Sequence, residues 1–250
     1  MPRFFLEVSY KGTNYSGFQV QENANTIQAE VEKAIEILLR EKIMLTGSSR
    51  TDAGVHAIQN FFHFDIKDGM VALEDDKNRS RFVYNMNAVL PPDIAIKNIK
   101  SVAADAHCRF DAVSREYNYY LSRSKNPFLR GRSFFFPYRI DWDKLQKAAA
   151  IVKNYQDFTS FSKRNTQVKT LLCRIEESRW VWKDAYFIYN VRANRFLRGM
   201  VRGLTATMLQ VGRNKITVDQ FREIIEATDC TKASFAVPPD GLFLVSVKYP

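Results

Sequence analysis

Three observations predict an α+β protein. Apolar residues alternate with period two in some segments and recur at helical spacing in others. Over the first hundred residues these segments follow the order β-α-β-β-α-β, the ferredoxin-like arrangement. The same alternation then returns with larger insertions to the end of the 250 residues. The expected architecture is therefore two ferredoxin-like (RRM-like) halves with antiparallel sheets, residues 1–104 and 105–250. Apolar residues at 46% and aromatics at 13% exclude a mainly disordered chain and suffice for a real core.

The elements follow in order. Residues 3–10 alternate as a strand that ends at Lys11-Gly12. Thr26 is placed to cap a helix whose apolar stripe is Ile27, Val31, Ile35, Leu38 and Leu39. Ile43–Leu45 reads as a short strand entering the polar loop Gly47–Gly54. Residues 59–66 form another strand, with Phe62 and Phe64 on one face and Phe61 and His63 on the other. A charged helix is predicted over 74–88, broken by Pro91-Pro92, and 94–101 returns as a strand.

In the second half, residues 115–122 form a Tyr-rich strand and 143–153 a helix behind Asp141. Residues 169–182 and 185–192 read as a hairpin around Lys183-Asp184. Helices follow over 196–211 and 218–227, and a strand over 242–249 closes the chain. No sequence repeat or low-complexity linker separates the halves.

Charge divides unevenly along the chain. Residues 1–100 carry 12 Lys/Arg and 13 Asp/Glu, net −1, and residues 101–250 carry 25 and 14, net +11. A basic surplus confined to one region suits a polyanionic partner, although a soluble protein of high pI reads the same way. No run approaches 18 apolar residues, so no membrane span is expected. A charge within the first residues argues against a secretory signal. Three separated cysteines (Cys108, Cys173, Cys230) without C-x-x-C argue against a disulfide framework or zinc finger and fit a reducing cytoplasm. His56, His63 and His107 are scattered and imply no metal cluster. The Walker loop, the Rossmann fingerprint and the zinc-deaminase motif are absent, so no cofactor is indicated.

Three segments could carry chemistry. Gly47 and Gly54 bracket Ser48, Ser49, Arg50, Thr51 and Asp52 between two strands, which sets a cation beside a carboxylate. This is either an acidic catalyst next to a nucleic-acid contact or an Asx-type turn with a surface ion pair. Alternation over 115–120 places Arg115, Tyr117 and Tyr119 on one face. That face could stack on an unpaired base or pack in a core. On the helix over 196–211, Leu197, Val201, Leu204, Met208 and Val211 form the buried stripe. Arg198 and Arg202 share another side with Thr205, either to hold a carboxylate or to meet solvent.

Taken together, these segments resemble the tRNA pseudouridine synthase A (TruA) family. The loop Gly47-Ser-Ser-Arg-Thr-Asp-Ala-Gly-Val-His-Ala57 is similar to its signature. Further likeness runs through Tyr10–Gln19 with Gln21, Thr26–Gln28 with Glu30, Arg109–Tyr117, Asp157–Phe161, Phe196–Arg202 and Pro239–Pro250. The resemblance implies a homodimer whose two halves surround a central catalytic cleft. Its implied reaction is isomerisation of uridine to pseudouridine at positions 38, 39 and/or 40 of the tRNA anticodon arm, without metal or cofactor. By the same resemblance Asp52 is the catalytic carboxylate and Tyr117 stacks on the target base. Arg50 fills the space of the flipped nucleotide, and Arg202 pairs with Asp52. The tRNA contacts it implies are His107, Arg109, Phe110, Lys163, Arg164, Gln167 and Lys169. The family often has Tyr-His where this chain has Arg198-Gly199, so no role passes to that pair or to Cys108.

Two other classes compete with this reading. A non-catalytic RNA-binding module would share the basic region and the tyrosines but would have no need of Asp52 beside Arg50. It also has no RNP1 run to rest on here. A glycoside hydrolase needs two opposed carboxylates, and the loop supplies one.

Overall fold

The computed structural model describes residues 1–67, 73, 75–164, 168–183 and 186–250. The chain is a mixed α/β protein whose strands pair mostly antiparallel, with five α-helices among the described residues. It divides into two compact units, one of residues 1–113 with 244–250 and the other of residues 114–243.

Unit 1 contains β1 (Arg3–Tyr10), α1 (Ile27–Leu39), β2 (Thr46–Gly47), β3 (His56–Asp65), α2 (Asp76–Val89) and β4 (Ile94–Val102). This is the predicted β-α-β-β-α-β order. Strand β1 lies between β4 and β3, antiparallel to both, and β2 pairs with β3. In β1 burial alternates, with Phe4, Leu6, Val8 and Tyr10 turned into the core. Opposite them, Phe62 and Phe64 of β3 are buried. Helix α1 starts as its cap predicts, the Thr26 hydroxyl accepting from Ala29 N at 3.3 Å. It buries Ile27, Val31 and Ile35.

The strand expected over Ile43–Leu45 does not form. Its backbone is engaged by α1 side chains: Leu45 N donates to Glu32 Oε1 at 3.0 Å and Leu45 O accepts from Gln28 Nε2 at 2.8 Å. Pairing begins one residue later, with Thr46 opposite His63. Strand β3 starts at His56, three residues before the predicted position. Helix α2 is capped by Asp75, which accepts from Asn78 N at 2.7 Å, and it runs one residue beyond the expected end. The expected first residue, Glu74, lies outside the described residues.

Unit 2 contains β5 (Ser114–Ser122), β6 (Phe134–Phe135), α3 (Trp142–Val152), β7 (Ile175–Lys183), β8 (Tyr186–Ala193), α4 (Met200–Gly212) and α5 (Val218–Glu226). Strand β8 pairs antiparallel with β5 and β7, and the short β6 runs parallel to β5. Strand β9 (Leu242–Lys248) closes the chain, and from Leu244 onward its residues belong to unit 1.

Strand β7 starts six residues after the predicted 169. The preceding backbone is bonded elsewhere: Cys173 N donates to Gln156 O at 2.8 Å and Arg174 N to Asn194 Oδ1 at 2.8 Å. Residues 184 and 185 of the expected turn lie outside the described residues. Helix α4 starts at Met200 rather than 196, because Gly199 at its N-cap adopts a left-handed φ of +77°. Arg198 is therefore not helical and shares no face with Arg202, while Thr205 is fully buried and donates to Val201 O at 2.7 Å. The predicted stripe, Leu197 through Val211, is buried. Thr217 and Gln220 form a reciprocal capping box at α5.

Candidate active site

In unit 1 the loop between β2 and β3 is shaped before any side-chain chemistry is considered. Asp52 O accepts from Val55 N at 3.1 Å, closing a four-residue turn. Gly54, third in that turn, has φ +78°, the value a type II turn requires at that place and one that glycine adopts without strain. The segment after β1 packs directly on this turn. Phe18 N donates to Thr51 O at 3.1 Å, and Gly12 N donates to Nδ1 of the buried His56 at 3.0 Å. A Cβ on Gly12 would lie 2.0 Å from Val55 O, so only glycine permits that approach.

Beneath the loop the polar contacts are buried. The Tyr10 hydroxyl lies 2.8 Å from Thr51 Oγ1. Asn60 Nδ2 donates to the Tyr10 oxygen at 3.2 Å and to Ser49 O at 2.8 Å. Ser48 and Ser49 keep their hydroxyls buried without a hydrogen-bond partner among the described protein atoms. Above this floor Arg50 is exposed and Asp52 half-buried, so the cation and the carboxylate are offered outward by neighbouring positions of one fixed loop.

Arg50 also borders a cavity of about 180 Å³ lined by Phe18, Gln19, Gln28, His107, Arg109 and Phe110, among others. Here the structure brings four of the sequence-predicted residues together: Arg50, His107, Arg109 and Phe110. Phe110 is 74% exposed, with its ring 4.2 Å from that of His107 and the Arg109 guanidinium 5.8 Å from its centroid. An exposed aromatic face beside the Arg109 guanidinium can stack on a base while the cation attracts its phosphate.

The histidines are less scattered than the sequence suggests. The His63 and His107 rings meet edge to face at 4.5 Å, and His63 Nδ1 lies 3.2 Å from Cys108 Sγ. Burial, with the nearby charges of His107 and Arg3, pushes the His63 pKa down to about 4. Cys108 donates to Thr46 O at 3.1 Å, tying residue 108 to β2. Among the described residues no group of three or more His, Cys, Asp or Glu could hold a metal ion.

In unit 2, Tyr117 sits on β5 and is buried, its ring held edge to face by Phe196 at 5.1 Å. Tyr119 is wholly buried and donates to Pro238 O at 2.6 Å, so it belongs to the core and the β5 face is not an open platform. Arg202, half-buried on α4, donates through Nε at 3.0 Å and Nη2 at 2.7 Å to Val237 O. Arg164 and Lys169 are exposed, whereas Lys163 is half-buried with its backbone N donating to Arg198 O at 3.0 Å. Gln167 lies outside the described residues.

The sequence reading assigned no role to Asn60, to Tyr10 or to the Phe196 ring. Asn60 had a weak signal, a carboxamide beside Gln59 in an aromatic-rich strand. Tyr10 and Phe196 lay inside stretches of family likeness but were given no role, since each reads as an ordinary core aromatic.

A family model described as tRNA pseudouridine synthase matches residues 7–111 and 155–250. Relatives called tRNA pseudouridine synthase A are similar along the whole chain. The one from Parabacteroides distasonis is 42% identical over 253 residues, covering 100% of this chain and 97% of its own. The one from Porphyromonas gingivalis is 41% identical, covering 100% and 98%. One from Staphylococcus aureus is 36% identical, covering 98% and 90%. With a matched model over most of the chain and relatives this similar from end to end, the chain belongs to the tRNA pseudouridine synthase family, isomerases that convert uridine to pseudouridine.

Proposed function

We propose that this protein isomerises uridine to pseudouridine in tRNA, at positions 38, 39 and/or 40 of the anticodon arm, with Asp52 as its catalytic carboxylate. The observation that carries this reading is the loop itself. Asp52 opens a glycine-closed turn, stands half-buried beside an exposed Arg50, and is backed by buried hydrogen bonds. A fixed, partly desolvated carboxylate can stabilise cationic character at C1′ without reorganising during the reaction.

The reaction breaks the N1–C1′ bond, turns the uracil and joins C5 to C1′. The C5 hydrogen leaves as a proton and N1 gains one, so the change is balanced with no redox partner. Asp52 is suited to attack C1′ or C6, or to take the C2′ proton. Tyr117 is assigned to stack on the target base, Arg50 to occupy the space of the flipped nucleotide, and Arg202 to pair with Asp52. Flipping costs a few kcal/mol, which a stacking group and a space-filling group can offset. His107, Arg109, Phe110, Lys163, Arg164, Gln167 and Lys169 are assigned to the RNA. The exposed Phe110 flanked by Arg109 and His107 supports that part of the assignment. The proposal extends to two ferredoxin-like halves around a central cleft, a homodimer, and work in the cytoplasm, as the family resemblance implies.

The test is tritium release from tRNA carrying 5-tritiated uridine, because forming the C5–C1′ bond expels that hydrogen. The protein is expected to release tritium, and Asp52→Asn to be slower by about 10⁴-fold or more with tRNA affinity retained. Binding without release would instead identify an RNA-binding module. Release by Asp52→Asn at the parent rate would remove Asp52 from the chemistry.

A further inference from the structure

We infer that Asn60, Tyr10 and Thr51 are positioning residues, a chain of buried hydrogen bonds that sets where the loop presents Arg50 and Asp52. This rests on the reading of Asp52 as the catalytic carboxylate. Asn60 is fully buried at the middle of β3, and its carboxamide is used at both ends. Nδ2 donates to Ser49 O at 2.8 Å and to the Tyr10 oxygen at 3.2 Å, and Oδ1 accepts from Phe61 N at 2.9 Å. A carbonyl only accepts and a backbone N–H only donates, so the carboxamide has one compatible orientation. The Tyr10 hydroxyl, 4% exposed at the end of β1, then shares its 2.8 Å hydrogen bond with Thr51 Oγ1.

These contacts grip the loop at alternate residues. Ser49 and Thr51 are held inward, 8% and 7% exposed, while Arg50 between them is exposed and Asp52 after them half-buried. The loop is thereby referenced to β1 and β3, which pair antiparallel from Arg3 opposite Asp65 to Val8 opposite Asn60 and, past a register shift, at Tyr10 opposite Ala57. Apolar packing at the same place would fill space without specifying a register, whereas each hydrogen bond specifies a direction and a distance. Catalytic groups held on rigid elements by such contacts lose little to reorganisation.

The full-length protein, in saturating excess over 5-tritiated tRNA, is assayed for single-turnover tritium release, alongside tRNA affinity and thermal unfolding. The variants are Tyr10→Phe, Thr51→Val, Thr51→Ser, the double Tyr10→Phe/Thr51→Val, and Asp52→Asn as reference. Tyr10→Phe and Thr51→Val each remove one oxygen from the same contact, and each is expected to slow release about tenfold to a hundredfold with affinity retained. Thr51→Ser keeps the oxygen and is expected to restore the rate. The double variant is expected to be no slower than Tyr10→Phe alone, because the contact that Thr51→Val breaks is already lost with the Tyr10 hydroxyl, which also serves Asn60. Tyr10→Phe alone keeps the test decisive should Thr51→Val fail to fold. Parent-like rates in Tyr10→Phe and Thr51→Val, with only the unfolding temperature lowered, would overturn the inference and leave these residues as packing. That outcome is separable from failure of the catalytic reading, which appears as an active Asp52→Asn.

Discussion

At the scale of single residues, the most informative contrast is between Tyr117 and Tyr119, two positions apart on one strand. Both face inward, yet Tyr119 has its hydroxyl committed to Pro238 O, while the Tyr117 ring is braced by the edge contact with Phe196. A residue that stacks on a substrate base gains from such a brace, since its ring need not be ordered on binding. Replacing Tyr117 by Phe keeps the brace, and replacing it by Ala removes ring and brace together. Tyr117→Phe is expected to keep the fold and the tRNA affinity of the parent. Tyr117→Ala is expected to lose about 3 kcal/mol of stability and its turnover together. Urea unfolding and tritium release measured on the same preparations check both parts, and a fully active Ala variant would reduce Tyr117 to a packed aromatic.

At the scale of elements, β3 is tied to its neighbours by a group that changes charge in a useful range. His63 faces Cys108, whose backbone N lies 3.4 Å and whose sulfur lies 3.2 Å from Nδ1, and Cys108 in turn bonds β2 through Thr46 O. Protonating Nδ1 would turn a second N–H toward the Cys108 N–H. The unfolded chain binds this proton near pH 6.5, and the folded one only near 4, chiefly because burial penalises the charged ring. Between those values the unfolded state holds more protons, so stability falls as pH drops from about 6.5 to 4, by on the order of 3 kcal/mol. Urea titrations across that range should show the loss in the parent protein and a shallower pH dependence in His63→Gln. Equal slopes in the two would remove His63 from the acid response.

At the scale of the whole molecule, the basic surplus of residues 101–250, 25 Lys/Arg against 14 Asp/Glu, frames the expected behaviour toward RNA. Arg164 and Lys169 are exposed, whereas Lys163 is half-buried and a methyl on Gly199 would come within 3.1 Å of its Cγ. Removing the exposed pair is therefore the cleaner experiment. Affinity for tRNA is expected to fall with salt at a log–log slope of about −0.7 to −0.9 per phosphate neutralised. Arg164→Ala/Lys169→Ala is expected to weaken binding and to flatten that slope by about 1 to 2, similarly across tRNA sequences, because phosphate contacts carry no base information. Turnover at saturating tRNA should change little. An unchanged slope would mean that the RNA does not meet these two residues.

What the sequence determined by itself was largely local or shared with a family. Thr26 and Asp141 cap helices because their oxygens meet the first free N–H groups, a matter of three residues. Alternation in β5 set Tyr117 and Tyr119 on one face without saying whether that face was open, and the Arg-Thr-Asp loop pointed to its chemistry through likeness to a known signature. What the tertiary structure decided depended on partners far along the chain. Leu45 lost its strand to the side chains of Gln28 and Glu32, and β7 starts only at Ile175 because residues 156 and 194 hold the backbone just before it. His63 met Cys108, and Asn60 met Ser49 and Tyr10, across separations of 45, 11 and 50 residues. A backbone group or a buried carboxamide bonds whichever partner packing brings within 3 Å, and that choice is made only when the chain has folded.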